Sequence, residues 1–400
     1  DLERLDLKSN NLQQLSTEIG KLKVLKKLLL EVNELTSLPA EIGQLTELRW
    51  LDLSENRIEL LPAEMAGLKA LEVLDLEGNP LKNFPEVLTQ LENLQELDLS
   101  NTELINVPAS VSAWARLENL NLSSNHLSEL PDSISQWVDL TSLDLSCNQL
   151  KKLPTGFSSL TKLKRLNLEE NPFGRMPEII THLENLVELD LTDIQMDVLP
   201  DTIEKMKALE WLDLSVNQLK TMPLCIGDLN KLEWLDLKDN QLKSFGLGLN
   251  AMPQLRELYA AYNELEYIDF NPAELNSLER LDLSFNRLCQ LPENMSAMDQ
   301  LTWLNVENNE LDELPASIGE LKHLEELDLS DNHLTKLPDS FSQFSNLTSL
   351  DLRNNDFTEL PAVIYLLSDT LQELFLEENP MSKEEKTRIK KQLSHLVLDI

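Results

Sequence analysis

The side chains best suited to catalysis are scattered along this sequence. Its five histidines are His126, His182, His323, His333 and His395. No glycine-rich phosphate-binding loop, G-x-S-x-G nucleophile motif or H-E-x-x-H zinc motif occurs. His126 and His333 share one position of the repeat described below but lie nine repeats apart, so they cannot meet across a site. The sequence therefore predicts no enzymatic activity and no cofactor.

Aspartates form a regular set with a period of 23 residues. They share one position in 11 of 17 segments, namely Asp6, Asp52, Asp75, Asp98, Asp144, Asp190, Asp213, Asp236, Asp282, Asp328 and Asp351. On parallel strands about 4.8 Å apart, neighbouring carboxylates would repel one another. A basic partner, a bound cation such as calcium, or Arg and Lys side chains of the chain itself would relieve that repulsion. Compensation within the chain is favoured, and no metal site is assigned.

Aromatic side chains form a second regular set. Trp50, Trp211, Trp234 and Trp303 each stand two residues before the repeated aspartate position. Exposed Trp, Tyr and Arg on a rigid surface are typical of binding hot spots, although rings that pack on one another could also be structural. The predicted partner-binding residues are Trp211, Trp234, Tyr259, Trp303, Asp213, Asp236, Asp282, Arg256, Arg280, Tyr262 and Phe285. Trp114 and Trp137 instead replace a core leucine and are predicted to be structural.

A repeated unit, L-x-x-L-x-L-x-x-N-x-L-x-x-L-P-x-x-I-x-x-L, must position these side chains. It starts at Leu2 and recurs every 23 residues up to Leu347, and the last copy starts 24 residues later at Leu371, with one residue added near Ser368 and Asp369. The L-x-L pair alternates at period two, which predicts a strand with one buried face. The L-P-x-x-I segment predicts a short helical turn that packs against the strands.

The Asn of the unit is predicted to hold the turn that follows each strand. It is present in 15 of 17 copies, and Thr102 and Ile194 are the exceptions. An Asn amide can bond backbone groups, here expected to be those of the next coil. Since Ile194 has no polar side-chain atom, we expect a looser turn there.

The two ends of the chain are expected to differ. Residues 1–381 are predicted to form the solenoid, and the absence of a polar segment covering the first leucines suggests that an N-terminal cap is missing. Ser382 to Glu385 reads as a capping box that opens a helix to about Leu393. The segment 382–400 is therefore predicted to be a capping helix and tail, in which residues 396–398 add a last strand.

The overall charge excludes some classes of partner. With 70 acidic and 34 basic residues, the formal net charge is -36. Such a chain repels phosphate backbones and anionic membrane surfaces, so neither nucleic acid nor a membrane is a predicted partner. A protein with a basic patch is favoured instead. Three widely spaced cysteines and the absence of an 18-residue apolar run indicate a cytoplasmic location.

The 23-residue unit, seen clearly in residues 324–344, resembles the leucine-rich repeat superfamily over essentially the whole chain. Its L-P-x-x-I variant is similar to the cytosolic class found in Scribble-type scaffolds, plant Ras-group proteins and many bacterial proteins. The resemblance implies an α/β solenoid, a horseshoe of about 17 repeats. Its concave face would carry a parallel β-sheet and its convex face short helical turns.

The resemblance also implies a scaffold that recognises a partner protein through the concave face. The aromatic residues centre this prediction on repeats 10–14, where Gly246 and Asp269 also replace the usual Pro, and Ala260 replaces a strand Leu. Such breaks in a pattern can mark a functional place or reflect relaxed selection. The alternative is a substrate-targeting domain of a larger enzyme, such as a translocated bacterial ubiquitin-ligase effector or a repeat-linked GTPase, with the catalytic part outside this chain.

Overall fold

The computed structural model describes residues 2–367 and 369–400. Its contacts divide the chain into two compact units, Asp1–Gln195 and Met196–Ile400. Both units repeat the same three parts, which are a three-residue strand, an extended segment and a short 3-10 helix.

The first unit contains strands β1 to β9. They are β1 (Arg4–Asp6), β2 (Lys27–Leu29), β3 (Trp50–Asp52), β4 (Val73–Asp75), β5 (Glu96–Asp98), β6 (Asn119–Asn121), β7 (Ser142–Asp144), β8 (Arg165–Asn167) and β9 (Glu188–Asp190). The 3-10 helices between them are Thr17–Lys21, Ala40–Gln44, Ala63–Gly67, Glu86–Gln90, Ala109–Ala113, Asp132–Gln136, Thr155–Ser159 and Glu178–His182.

The second unit contains strands β10 to β18 and helix α1. The strands are β10 (Trp211–Asp213), β11 (Trp234–Asp236), β12 (Glu257–Tyr259), β13 (Arg280–Asp282), β14 (Trp303–Asn305), β15 (Glu326–Asp328), β16 (Ser349–Asp351), β17 (Glu373–Phe375) and β18 (Val397–Asp399). The 3-10 helices are Asp201–Lys205, Leu224–Asp228, Leu247–Ala251, Pro272–Glu274, Met295–Ala297, Ala316–Glu320, Asp339–Gln343 and Ala362–Leu367, and α1 spans Lys383–Gln392.

The strands of each unit pair in parallel, each with its neighbour in sequence. Equivalent residues face each other at steps of 23, for example Trp211 opposite Trp234. Between β16 and β17 the step is 24, with Ser349 opposite Glu373, and it is again 24 between β17 and β18, with Glu373 opposite Val397. Of the two positions near which the extra residue was expected, Ser368 lies outside the described residues. The predicted leucine-rich repeat solenoid is thus confirmed in each unit.

Leucines of the repeat form the core between the strand layer and the 3-10 helices. Leu51 and Leu53 are fully buried from the strand side, and Ile42 and Leu45 are fully buried from the helical side. The carbonyl of Pro39 accepts the N–H of Ile42 at 3.0 Å, which closes the short turn directly after the Pro. Burying apolar surface on every repeat supplies the main stabilising term.

The repeated Asn side chains link successive coils, but in the direction opposite to the one expected. Asn56 donates to the carbonyl of Leu30 in the preceding coil at 2.9 Å and to that of Leu53 at 3.0 Å. Its Oδ1 accepts the N–H of Leu35, also in the preceding coil. The expectation of bonds to the next coil was wrong, because the amide lies over the preceding strand once the chain has turned.

The two exceptions to the Asn pattern keep a buried side chain in different ways. The Thr102 hydroxyl donates to the Leu99 carbonyl at 2.6 Å, so it replaces part of the amide's role. Ile194 is fully buried and stands between two residues in the left-handed region, Asp193 at φ 48° and Gln195 at φ 62°. Thr102 is flanked in the same way by Asn101 at φ 52° and Glu103 at φ 60°, so the two turns share a backbone conformation and differ in the side-chain bond.

Helix α1 and β18 follow the last repeat. Ser382 caps α1 by accepting the N–H of Glu385 at 3.1 Å. The carboxylate of Glu385 does not return to Ser382 as in a full capping box, but accepts the N–H of Leu360 at 3.1 Å. Ile389 is buried, and β18 pairs with β17.

The predicted boundary between the solenoid, residues 1–381, and the C-terminal cap, residues 382–400, stays a prediction. Across the two described ranges, no helix is long and apolar enough to cross a bilayer.

Candidate protein-interaction surface

The side chains on either side of each central strand Leu point away from the core and form what we call the strand face. In the second unit, Trp211 and Trp234 stack on this face with ring centroids 4.5 Å apart and planes 10° apart. The ring of Tyr259 lies 5.7 Å from that of Trp234, tilted by 50°. All three side chains are half-buried. We call Trp211, Trp234 and Tyr259 the aromatic row.

The aromatic row ends at a charged group that the sequence analysis did not single out. Lys238 Nζ lies 4.5 Å from the centroid of Tyr259 and 3.8 Å from the carboxylate of Asp282. The hydroxyl of Tyr259 donates to Glu257, and burial together with Glu257 raises the pKa of Tyr259 to about 12. The sequence signal for Lys238 is that it stands at the position where Ser is the commonest residue, as in Asp-Leu-Ser.

Trp303 is separated from the aromatic row by charged residues. In register across the strands, Glu257 faces Arg280, and Arg280 faces Trp303. The guanidinium of Arg280 lies 4.8 Å from the Trp303 ring, which is within cation–π distance. The predicted residues therefore form an aromatic row and a separate Arg–Trp pair.

Arg256 points to a different partner. Its guanidinium donates to the carboxylate of Glu279 at 2.9 Å, and both residues lie just before their strands. Arg256 is thus engaged with Glu279 beside the strand face. The sequence placed it among the aromatic side chains because spacing alone does not show the direction of a long, flexible side chain.

Tyr262 and Phe285 form a second stack beyond the strand ends. Their ring centroids are 4.3 Å apart with planes 8° apart, and Tyr262 is 55% exposed. Both residues have left-handed backbone, with φ of 56° and 54°. This conformation is unfavourable for bulky residues. The chain therefore holds the exposed Tyr262 and the half-buried Phe285 as a stacked pair beyond the strand ends, at some cost in backbone energy.

The three aspartates expected to meet a basic partner are engaged within the chain. Asp236 and Asp282 are 8% and 7% exposed, whereas Asp213 is half-buried. Asp282 accepts both the N–H and the hydroxyl of Ser284, at 3.1 and 2.7 Å. Burial, and then the charge of Asp213, raises the pKa of Asp236 to about 7. The negative charge of these aspartates is compensated mainly by backbone N–H and serine hydroxyl donors two residues later in the chain. The Asp-Leu-Ser pattern of the sequence indicates these serine donors.

The irregular residues near this surface compensate one another structurally. Asp269 accepts the N–H groups of Phe245 and Gly246, each at 2.9 Å. Gly246 has φ 69°, which Pro cannot adopt. The expectation that these breaks could mark function therefore has a simpler structural explanation.

The remaining tryptophans belong to the first unit. Trp114 and Trp137 are buried, and their indole N–H groups donate to the carbonyls of Leu88 at 3.1 Å and Val111 at 2.9 Å. Their predicted structural role is confirmed by this burial. Trp50 is 38% exposed on the strand face.

Within the described residues, no group of three or more His, Cys, Asp or Glu side chains is arranged to hold a metal ion.

Comparisons with known proteins identify the fold family. Family profiles described as leucine rich repeat match residues 1–58, 115–173, 299–357 and 277–298, and one described as leucine-rich repeat region matches residues 40–122. A leucine-rich repeat protein of Leptospira interrogans is 36% identical over 98% of this chain and 100% of that chain, with a TM-score of 0.92. The chain belongs to the leucine-rich repeat family. Proteins with this fold generally mediate protein–protein interactions.

Two further structures resemble this leucine-rich repeat chain. A leucine-rich effector protein from Yersinia pestis is 27% identical over 82% of this chain and 83% of that chain, with a TM-score of 0.64. Drosophila Toll, in a complex with Spatzle, is 21% identical over 95% of this chain and 57% of that chain, with a TM-score of 0.73, and shows the fold alone. Among curated proteins, none matches this chain.

Proposed function

We propose that this leucine-rich repeat chain is a recognition module that binds another protein through the strand face of the unit Met196–Ile400. The observation that carries the proposal is the aromatic row, in which three half-buried rings lie side by side on β10, β11 and β12. Rigid aromatic anchors of this kind are the usual centre of protein interfaces because they bury a large area at small conformational cost.

The surroundings of the row suit a polar rim. Glu257, Lys238 and Arg280 supply charges of both signs beside the rings. Interfaces commonly combine an apolar centre with such a rim. The proposed site therefore covers repeats 10–14, with Trp303 and the Tyr262–Phe285 stack at its borders.

A partner with a basic patch fits the charge of the chain. The net charge of -36 attracts cationic surfaces over distance and speeds encounter. Since Asp236 and Asp282 are buried, we assign them to this general field and assign direct contact to the half-buried Asp213. The basic residues of the partner thus serve orientation more than anchoring.

We further propose a scaffolding role in the cytoplasm. The three cysteines are free thiols, and burial with neighbouring carboxylates raises the pKa of Cys147, Cys225 and Cys289. Free thiols are typical of a reducing compartment. The alternative, a targeting domain of a larger enzyme, rests on the resemblance to bacterial effectors and stays a prediction.

The test compares two matched double variants. Trp211→Ala with Trp234→Ala removes the stack, and Leu224→Ala with Leu247→Ala removes two leucines, 71% and 63% exposed, from the 3-10 helices of the same two repeats. The probe is a displayed library of random peptides, from which ligands are selected on the wild-type protein and their Kd is measured on each variant.

We expect the Trp double variant to weaken the selected ligands by about a hundredfold, or roughly 3 kcal/mol. The Leu double variant should bind them as wild type does, and thermal unfolding should show both variants folded. If the ligands bind the Trp double variant as tightly as wild type, the site lies elsewhere. The proposal also fails if the Leu double variant loses as much affinity as the Trp double variant.

A further inference from the structure

We propose that the strand face of the first unit carries a second binding site, which takes an arginine side chain of a partner polypeptide. The site is a cavity of about 360 Å³. In register across the strands, Trp50, Val73 and Glu96 form one line of its wall, and Asp75 and Asp98 form the other. A pocket of this size is ample for one side chain. It lies in the unit Asp1–Gln195 and does not depend on the aromatic row.

Trp50 provides an aromatic wall already shown to accept a cation. Lys27 Nζ lies 3.3 Å from the centroid of the indole, so the electron-rich face of the ring attracts an ammonium group within the chain itself. Trp50 and Val73 face each other in register on β3 and β4, and Asp52 faces Asp75 beside them. The indole and the carboxylates therefore belong to one continuous patch of sheet.

Asp75 has less local compensation than its neighbour Asp98. Asp98, its neighbour, accepts both the N–H and the hydroxyl of Ser100, at 2.8 and 2.5 Å, and also the amide of Asn121 at 2.9 Å. In the segment of Asp75, Glu77 replaces that serine, so Asp75 accepts the Glu77 N–H at 3.0 Å without a hydroxyl beside it. A donor is thus replaced by another acidic group.

The charged groups that act most strongly on the carboxylate of Asp75 are acidic. Burial, and then the carboxylates of Asp98, Asp52 and Glu77, raises the pKa of Asp75 to about 7. None of the ion pairs between described residues includes Asp75, Glu96 or Asp98. In the second unit, by contrast, Arg353 bonds the carboxylate of the corresponding Asp351. The part of the cavity around Asp75 therefore has the charge that an incoming cation complements.

Arginine fits this combination better than lysine. A guanidinium can stack on the Trp50 indole while its N–H groups donate to a carboxylate in the plane. Asp75 lies diagonally across from Trp50 on the adjacent strand, so one guanidinium can meet both groups. A small ammonium makes fewer such contacts and stays more strongly hydrated.

The experiment uses the full chain and a peptide with one arginine, acetyl-Gly-Arg-Gly-amide. The indole N–H resonances of the tryptophans are followed by NMR during titration, and Trp50→Phe assigns the relevant one. We expect a saturable shift of the Trp50 resonance. The lysine analogue should bind more weakly, and the glutamine analogue should give no shift.

Two variants with the same Asp-to-Asn substitution separate a site from general attraction. Asp75→Asn keeps an acceptor for the Glu77 N–H, and Asp328→Asn changes an aspartate of the same row in the second unit. Asp75→Asn should raise the Kd about fivefold, as expected for the loss of one charge-assisted contact. Asp328→Asn should leave the Kd within about twofold.

Equal weakening in the two variants would overturn the proposal, because it would show attraction by net charge alone. A response at Trp211 and Trp234 with none at Trp50 would overturn it as well. The variant Trp211→Ala with Trp234→Ala should retain the Trp50 response. The outcome at this site is therefore separate from the outcome at the aromatic row.

Discussion

Asp269 accepts the backbone N–H of Gly246 at 2.9 Å, and both residues stand where other repeats have Pro. A Pro has no N–H, so its loss at Gly246 adds a donor that requires an acceptor. The loss of Pro at the equivalent position of the next repeat supplies that acceptor. The two irregularities are thus one structural unit.

Replacing Asp269 by Ala should destabilise this part of the second unit. The N–H groups of Phe245 and Gly246 would both lose their acceptor, at a cost of roughly 2–4 kcal/mol. Amide hydrogen exchange at Phe245 and Gly246 measures the effect locally. Exchange at both amides should be much faster in Asp269→Ala. It should be unchanged in the control Asp312→Ala, which alters an exposed aspartate outside these two repeats.

Unchanged protection in Asp269→Ala would show that the two N–H groups do not depend on this carboxylate. Restoring the usual residue with Gly246→Pro should also destabilise, because φ 69° lies far from the value that a Pro ring allows.

Trp114 should contribute more to stability than Trp303. Trp114→Phe removes the bond to the Leu88 carbonyl and leaves a space beside Phe84 and Trp137, whose rings lie 5.6 and 6.2 Å away. The free energy of unfolding should fall by about 2–4 kcal/mol in urea denaturation. Trp303→Phe, on the half-exposed strand face, should cost less than about 1 kcal/mol. Equal losses would contradict the structural assignment of Trp114.

The Asn side chains should matter in proportion to their burial. Asn240 is 7% exposed, donates to the carbonyls of Leu214 and Leu237, and accepts the N–H of Leu219. Asn240→Ala should cost roughly 3 kcal/mol or more in urea unfolding. Asn10 holds the same position of the repeat but is exposed, so Asn10→Ala should cost clearly less. If Asn10→Ala cost more than Asn240→Ala, the buried Asn side-chain bonds would not be a source of stability.

Stability should fall as the pH rises toward neutrality. The pKa of Asp236 is about 7 in the folded chain and close to 3.8 when unfolded, so the folded state binds the proton more tightly. Its contribution is fully favourable below pH 4 and is lost as the pH rises through 7. Asp236→Asn should flatten this dependence and stabilise the protein at pH 8 by at most about 4 kcal/mol. Denaturant midpoints at pH 5 and 8 measure this.

The exposed neighbour Asp239 provides the control for that experiment, since Asp239→Asn changes the net charge equally without removing a buried carboxylate. The explanation fails if Asp239→Asn and Asp236→Asn shift the midpoints by the same amount.

The fold could be predicted because the repeated residues are the buried ones. Leu212 and Leu235 recur at the spacing that places them opposite each other, and both are fully buried. The direction of the Asn bonds could not be predicted, because it depends on how far the chain has turned before the amide is placed. That information lies in backbone geometry and not in residue type.

The candidate site was predictable only where spacing determines contact. Equal positions on neighbouring strands brought Trp211 and Trp234 into a stack. Arg256 was assigned to the aromatic side chains but bonds Glu279, and Lys238 was missed although it contacts Tyr259. Long side chains can reach several partners, and sequence spacing does not show which one they contact. The burial of Asp236 was also missed, since sequence spacing does not report the depth of a position between its neighbours.

The uniform register has a mechanical consequence. When tension is applied to the two ends of the chain, each strand can detach from its neighbour without disturbing the strands beyond it, because pairing in each unit is sequential. Each repeat before β16 that detaches then releases 23 residues, or about 80 Å of extended chain. Under tension in an optical trap, the protein should therefore lengthen in steps of nearly equal size.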